Sequence, residues 1–524
     1  MCGPFIGREF WYYVQQMNKR GPVFRGGAMI RSRLGYFYNL LSLSGLILAV
    51  IGGGFMIVFI AMEAITGFAS AYTGILVYFA FPGMLLAGLL LIPFGMLRER
   101  KRRRVRDRLE IPPYPILDFN EPPQRRKFIF FVVATLVFLM ITAIAAIKGY
   151  EYTESVAFCG RVCHTVMEPE YTAWSNSPHA RVKCAECHIG PGAEWFVKTK
   201  LSGLRQVYKV LSNTYPTPIE TPVANLRPAR DTCERCHWPE NFYSGRYKIF
   251  YHFASDEKNS PREINMLLKT GGTPRLPNAK GIHWHIGTEI HYQARDEKRQ
   301  DIPLIRVREK DGKITEYMDS ERPLGKNEIA VAKQRLMDCI DCHNRPTHIY
   351  RSPGQEMDDN FVSGHIDPSL PYIRKVSIEL LSKPYKSREE AYEAIASGIK
   401  DYYMTNYPQI GVRKADAINR GVEEVKDIYA RNFFPKMKTA WNTHRDNIGH
   451  FLNPGCFRCH DGKHRSTDGR VISRDCNLCH EVINQKQENI LTGTRVTKFV
   501  HPVDIGDELD RTNCNECHTA EGNI

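Results

Sequence analysis

No histidine precedes His164 in this 524-residue chain. The first part of the protein therefore has no imidazole to offer a metal or a prosthetic group. Isolated cysteines are also nearly absent: of 15 cysteines only Cys2 stands outside a close pair. Lysine and arginine are missing from the short connection 63–71, although both crowd the segments on either side of the apolar runs around it. The form of a cleaved leader is missing too, because the first apolar stretch begins only at residue 40 and is too long for a signal-peptide core. No fixed period relates the cysteine pairs, so a regular repeat array is excluded.

What is present begins with three apolar runs, at 40–62, 72–97 and 128–147, each long enough to cross a bilayer core of ~30 Å. A buried helix pair in a water-soluble protein is the plain alternative, but these runs are nearly free of charge. Lys19, Arg20, Arg25, Arg31 and Arg33 precede the first run, an Arg-Glu-Arg-Lys-Arg-Arg-Arg-Val-Arg-Asp-Arg stretch (98–108) follows the second, and Arg125, Arg126 and Lys127 precede the third. The positive-inside rule then predicts a cytoplasmic N-terminal segment (1–39), transmembrane helices at 40–62, 72–97 and 128–149, and a basic cytoplasmic loop at 98–127. Everything after residue 150 falls on the opposite face. Because the three spans hold no histidine, no bis-imidazole centre carries electrons across the membrane inside this chain.

Fourteen cysteines form seven close pairs, each followed at once by histidine: Cys159/Cys163-His164, Cys184/Cys187-His188, Cys233/Cys236-His237, Cys339/Cys342-His343, Cys456/Cys459-His460, Cys476/Cys479-His480 and Cys514/Cys517-His518. Six are strict C-x-x-C-H, the attachment signature of c-type haem. Two thiols at this spacing form thioethers to the two vinyl groups of one porphyrin, and the adjacent imidazole reaches the iron. Zinc ribbons use C-x-x-C pairs but do not require the trailing histidine, and a disulfide framework gives no reason for it either. The first motif has three intervening residues and is read the same way, giving seven c-type haems. The formal charge of +14 is no guide to a partner, because haem propionates would cancel much of it. A nucleic-acid role is not expected.

The haem-bearing part reads as mainly α with extensive loops. Helical patterning appears at about 370–400 and 415–430. One β signal stands out at 302–318, where two alternating runs flank Asp311-Gly312 as in a hairpin. Uneven motif spacing divides this part into 150–245 with haems 1–3, an insert at 246–335 holding the hairpin, and 336–524 with haems 4–7.

Residues 158–171 (Phe-Cys-Gly-Arg-Val-Cys-His-Thr-Val-Met-Glu-Pro-Glu-Tyr) and 177–188 (Ser-Pro-His-Ala-Arg-Val-Lys-Cys-Ala-Glu-Cys-His), directly after an apolar run, resemble the NapC/NirT family. The likeness covers about 128–240. The layout of three spans and seven haems is similar to the heptahaem inner-membrane cytochromes of metal-respiring bacteria. The resemblance implies a quinol dehydrogenase of the inner membrane that oxidises quinol, menaquinol for choice, at the periplasmic face. It would pass the electrons to periplasmic cytochromes or reductases in anaerobic respiration. The family commonly has one span and four or five haems, so the first two spans and the C-terminal motifs lie outside the likeness. Its first motif usually carries a methionine two residues after the histidine. Here Met167 sits three after His164, and either can be the ligand of iron 1. A lysine lining the family's quinol site is matched by Lys200. Gln206 lies near the expected acid, although glutamine cannot accept a proton; a solvated Lys200 is the plain alternative.

Electron-transfer haems usually take a second histidine, and seven of the 18 histidines are spent in the motifs. His179, His444, His450, His464 and His501, close to motifs in sequence, are candidate distal ligands, as is His348. His283, Trp284 and His285 alternate as on a strand, so one of the two histidines, taken as His285, is expected to face a haem. Two other functions remain open: an electron-relay subunit of a larger membrane complex, and a multihaem terminal reductase of a small oxidant.

Overall fold

The computed structural model describes residues 36–37, 39–66, 81–105, 118–162, 164–190, 193–223, 228–242, 245–271, 281–487, 490–492 and 499–518. Most of the N-terminal segment, most of the connection 63–71, residues 106–108 of the arginine stretch, and Cys163 lie outside them. The chain divides into two compact units, one of residues 1–150 with 191–197, the other of 151–190 with 198–524.

In the first unit, α1 (Leu40–Thr66) and α2 (Phe81–Val105) pack closely along their length. Small residues allow it. A Cβ on Gly88 would lie 2.5 Å from the Gly45 carbonyl oxygen, and one on Gly45 would lie 2.8 Å from the Gly88 carbonyl. Ser42 Oγ donates to the Ile92 carbonyl at 3.0 Å. Backbones that approach this closely through Gly and Ser are the signature of helix pairs in lipid, where dispersion and interhelical hydrogen bonds replace the hydrophobic drive. Leu46, Val50, Leu86, Leu90 and Phe94 are exposed, as lipid-facing side chains are. The helix α3 (Pro122–Thr153) is continuous over 32 residues.

Two stretches, Leu40–Val58 and Phe81–Arg102, meet the length and apolarity of a span, rather than the three expected. The stretch 128–147 is helical within α3, but the side chains at 139, 142, 143, 145 and 146 lie outside the described set. Of the second expected span, residues 72–80 lie outside the described residues, and its described part is helical from Phe81.

The second unit starts with α4 (His164–Ser175) and α5 (Ala193–Leu211). Its largest core is a helical cluster of α6 (Pro353–Val362), α7 (Ile373–Leu381), α8 (Arg388–Asn406) and α9 (Ala415–Asn432). Ala391, Ile395, Ile399 and Tyr403 recur every fourth residue along one face of α8 and are fully buried. Ile395 and Ile399 each contribute roughly 1.5–3 kcal/mol by their burial. Ile418, Val422, Val425 and Tyr429 of α9 pack against them. Ser352 and Ser387 start α6 and α8 by accepting from the N–H three residues on, as N-caps do. The buried ion pair Arg374–Asp358, at 2.8 Å, ties α6 to α7.

Strand content exceeds the expectation of one hairpin. One sheet has the order β1 (Arg246–Phe253), β2 (Pro261–Leu268), β8 (His480–Gln487), β9 (Ile490–Thr492). A second has β6 (Gln334–Leu336), β3 (Ile290–Gln293), β4 (Leu304–Arg308), β5 (Ile314–Asp319), β7 (His464–Ser466). The hairpin is present as β4–β5, with Leu304 opposite Met318 and Arg308 opposite Ile314. Gly312 turns it at φ +85°, a conformation that favours glycine. Both sheets recruit strands from the C-terminal region, so 246–335 is not a closed insert.

Candidate haem-binding sites

Each described C-x-x-C-H motif sits on a tight turn. Short helices cover Cys184–His188, Cys339–Cys342 and Cys514–Cys517, and 3-10 turns cover Gly455–Arg458 and Cys476–Leu478. The histidine N–H returns to the carbonyl of the first cysteine at 2.8 Å in His237, His343 and His518 and at 3.0 Å in His460. Residues three and four apart on a helical turn share a face, so both thiols and the imidazole are aimed the same way. The first motif, with its extra residue, begins within a π-helical turn over Phe158–Val162. This wider turn brings residues four and five apart back onto one face. The side chains of Cys163 and His164 lie outside the described set.

The decisive geometry is between imidazoles. Ring centroids of His188 and His348 are 6.2 Å apart, of His179 and His237 5.9 Å, and of His283 and His343 6.5 Å. His285 and His460 lie at 5.7 Å, His450 and His480 at 6.0 Å, and His501 and His518 at 6.0 Å. Every pair joins one motif histidine to one from elsewhere. Two imidazoles on opposite sides of one metal ion stand about 6 Å apart by centroid, because each metal–nitrogen bond is about 2 Å and each ring centre lies about 1 Å beyond. The rings are thus spaced to hold a haem iron between them.

Protonation fits the same role. Nδ1 of His283, His285, His460 and His501 faces the backbone carbonyls of Thr270, Ile282, Ser473 and Val503. Nδ1 of His348 faces the Glu170 carboxylate at 2.9 Å. An Nδ1–H donated to an oxygen fixes the tautomer and leaves the Nε2 lone pair for a metal. Burial pushes His188, His285, His343, His450, His460 and His480 below the ordinary imidazole pKa, which favours the neutral, ligating form.

Motif follows motif in chain order. The Cys159 thiol neighbours that of Cys184, and Cys187 neighbours Cys233 and Cys236. Cys339 neighbours Cys233, Cys342 neighbours Cys456, Cys456 neighbours Cys479, and Cys476 neighbours Cys514.

Two expectations change, those for His283 with His285 and for His464, while His444 is left without a described motif histidine as partner. His283 and His285 both oppose motif histidines, on different partners, because Trp284–Gly287 is a helical turn and not a strand. Period-2 alternation was the wrong template for that segment. His464, expected as a ligand, is 2% exposed, with Nδ1 on Asp461 Oδ1 at 2.9 Å and Nε2 on the Ile302 carbonyl at 2.7 Å. Burial alone would depress it, but these two acceptors hold its pKa above the ordinary value, and neither nitrogen retains a lone pair for iron. His444 has no motif histidine opposite it among the described residues. Its Nδ1 lies 3.3 Å from Thr221 Oγ1, its Nε2 is buried without a hydrogen bond, and burial, with Arg345 nearby, lowers its pKa to about 4.

Met167 is half-buried on α4. Lys200, on α5, donates to Thr153 Oγ1 at 3.1 Å and to the Thr153 carbonyl at 3.3 Å, with Glu154 Oε1 at 3.7 Å. Gln206 is exposed.

Comparison with known proteins points the same way. The model of the NapC/NirT cytochrome c family, N-terminal region, matches residues 122–222. The cytochrome c-type protein ImcH of Geobacter sulfurreducens is 61% identical over 491 residues, covering 94% of this chain and 97% of that one. The cytochrome c-type protein NrfH of Wolinella succinogenes is 28% identical over 109 residues, covering 20% of this chain and 61% of that one. No solved structure matches.

Proposed function

This chain belongs to the NapC/NirT family of membrane-anchored multihaem c-type cytochromes, and from that premise we propose that it oxidises quinol at the outer face of the membrane and relays the electrons outward along seven haems. The observation that carries the relay is the set of six imidazole pairs, strung from motif to motif in chain order. Covalent haem supplies the one-electron redox chemistry when bound, as cofactors do.

The chain's own residues do the rest. The cysteine pairs fix each porphyrin, and the motif histidines with His348, His179, His283, His285, His450 and His501 in turn hold the irons of haems 2 to 7. Cys159, Cys163 and His164, read from the sequence, would hold haem 1. Lys200 lies close to Cys159, where its charge is felt at the thiol, and binds the quinol there. Cys159 follows the third apolar run by only a dozen residues, which keeps this first station at the lipid surface. With the arginine-rich 98–108 stretch inside, the relay is proposed to lie on the periplasmic side. Electrons and protons then leave the quinol on the same face, so the step itself moves no charge across the bilayer.

The test is reduction of the purified, haem-loaded protein by a water-soluble menaquinol analogue with no other protein present. Full reduction of the haem α-band is expected. Reduction by dithionite but not by the quinol would overturn the quinol role and favour a relay subunit fed by another membrane protein.

A further inference from the structure

Quinol oxidation needs a proton acceptor, and the position expected for one carries Gln206. At about 100° per residue, Gln206 stands roughly 120° around α5 from Lys200, and its side chain is exposed. The acid that faces Lys200 comes from a different element. Glu154 is the first residue after α3, and its Oε1 lies 3.7 Å from Lys200 Nζ. Its side chain is 18% exposed, and Oε1 is buried without a hydrogen bond. A buried carboxylate oxygen left in that state costs on the order of 1–3 kcal/mol. Lys200 is turned onto both oxygens of Thr153. Its ammonium is thereby held beside the carboxylate at a separation too long for a direct hydrogen bond. The charges of Lys200 and Glu154 are both felt at Cys159, the first attachment thiol.

We infer that Glu154 is the catalytic base of quinol oxidation, with its Oε1 accepting the proton of the quinol hydroxyl while Lys200 donates to the oxygen of that hydroxyl. This rests on the quinol-oxidising role proposed above. Oxidation of one quinol breaks two O–H bonds and releases two electrons and two protons. The electrons reduce two ferric haem c equivalents, one proton passes to Glu154, and the second leaves to water on the outer side. Glutamine in place of Glu154 keeps an acceptor oxygen but cannot take up the proton. Alanine removes both capacities.

The experiment uses the full-length, haem-loaded protein in lipid nanodiscs, with Glu154→Gln, Glu154→Ala, Glu154→Asp and Gln206→Ala. Binding of a hydroxyquinoline N-oxide, a quinol-site analogue, is followed by fluorescence quenching, independently of turnover. Dithionite-reduced spectra report intact haems. Glu154→Gln is expected to bind the analogue within about threefold of wild type while kcat for quinol falls about 100-fold or more, the range typical of a lost general base. Glu154→Ala is expected to weaken analogue binding about tenfold, the equivalent of one hydrogen bond. Glu154→Asp should recover part of kcat, which excludes a folding defect as the cause, and Gln206→Ala should match wild type. Wild-type kcat in Glu154→Gln, with the wild-type protein active on quinol, overturns the assignment of Glu154 and leaves the quinol role standing. A wild-type protein that quinol cannot reduce overturns both.

Discussion

Glu170 shows how one side chain tunes a ligand it does not replace. Its Oε2 holds Nδ1 of His348 at 2.9 Å, its Oε1 accepts from Tyr350, and Arg345 stands nearby. Against the cost of burial, His348, Arg345 and Tyr350 hold its pKa down at about 2, so it stays a carboxylate at any physiological pH. A carboxylate on the far nitrogen makes an imidazole a stronger donor to iron, which stabilises the ferric state. Glu170→Gln should therefore raise the midpoint potential of the haem at Cys184 and Cys187 by about 60 mV, the one-electron equivalent of a tenfold shift, in a spectroelectrochemical titration. His285 and His464 make the complementary pair. His285→Ala should convert one haem to high spin in the EPR spectrum. His464→Ala should leave every haem low-spin but destabilise the fold by about 1–3 kcal/mol, since Asp461 and the Ile302 carbonyl lose a buried partner. The candidate covalent sites are readable from sequence because cysteine spacing and the adjacent histidine are local. The distal partners are not, because nothing in the sequence around His464 separates a ligand from a hydrogen-bonded core residue.

Among the elements, α8 and the α1–α2 pair were the easiest to read, for opposite reasons. The stripe at 391, 395, 399 and 403 follows the helix period, and it is buried as that period requires. The apolar runs at 40–62 and 72–97 have no such stripe, and their contact is set instead by Gly45, Gly88 and Ser42. Ile399→Ala should cost about 2–5 kcal/mol of stability, visible as a lower thermal midpoint. Gly88→Leu should separate α1 from α2, since even a Cβ there meets the Gly45 carbonyl. The expected result is faster proteolysis within 1–105 in detergent, with the haem spectrum unchanged. The sheets were the least legible elements. Strand β8 pairs with β2 across more than 200 residues of sequence, and β7 with β5 across about 150. Hairpin chemistry announces a local turn such as Asp311-Gly312, but such distant pairings leave only short, weakly alternating runs.

At the scale of the whole molecule, order along the chain becomes order along the relay. Each motif neighbours the one before it in sequence, from Cys159 to Cys514. Under the proposed function, the station beside Lys200 and Glu154 is the entry and the one at His501 and His518 the exit. At that last site Phe451 stacks on His518 with ring centroids 4.4 Å apart, and Cys517 is exposed. A serial relay makes an asymmetric prediction. Replacing both Cys514 and Cys517 with alanine removes one haem from the intact mass but leaves six upstream. Menaquinol should still reduce those six at the wild-type rate, whereas transfer onward to a soluble periplasmic-type cytochrome should slow sharply. Replacing Cys184 and Cys187 instead should block reduction of every downstream haem by quinol while dithionite still reduces them. Equal effects of the two changes on both half-reactions would mean that electrons enter or leave at several points, and the chain-order relay would fall.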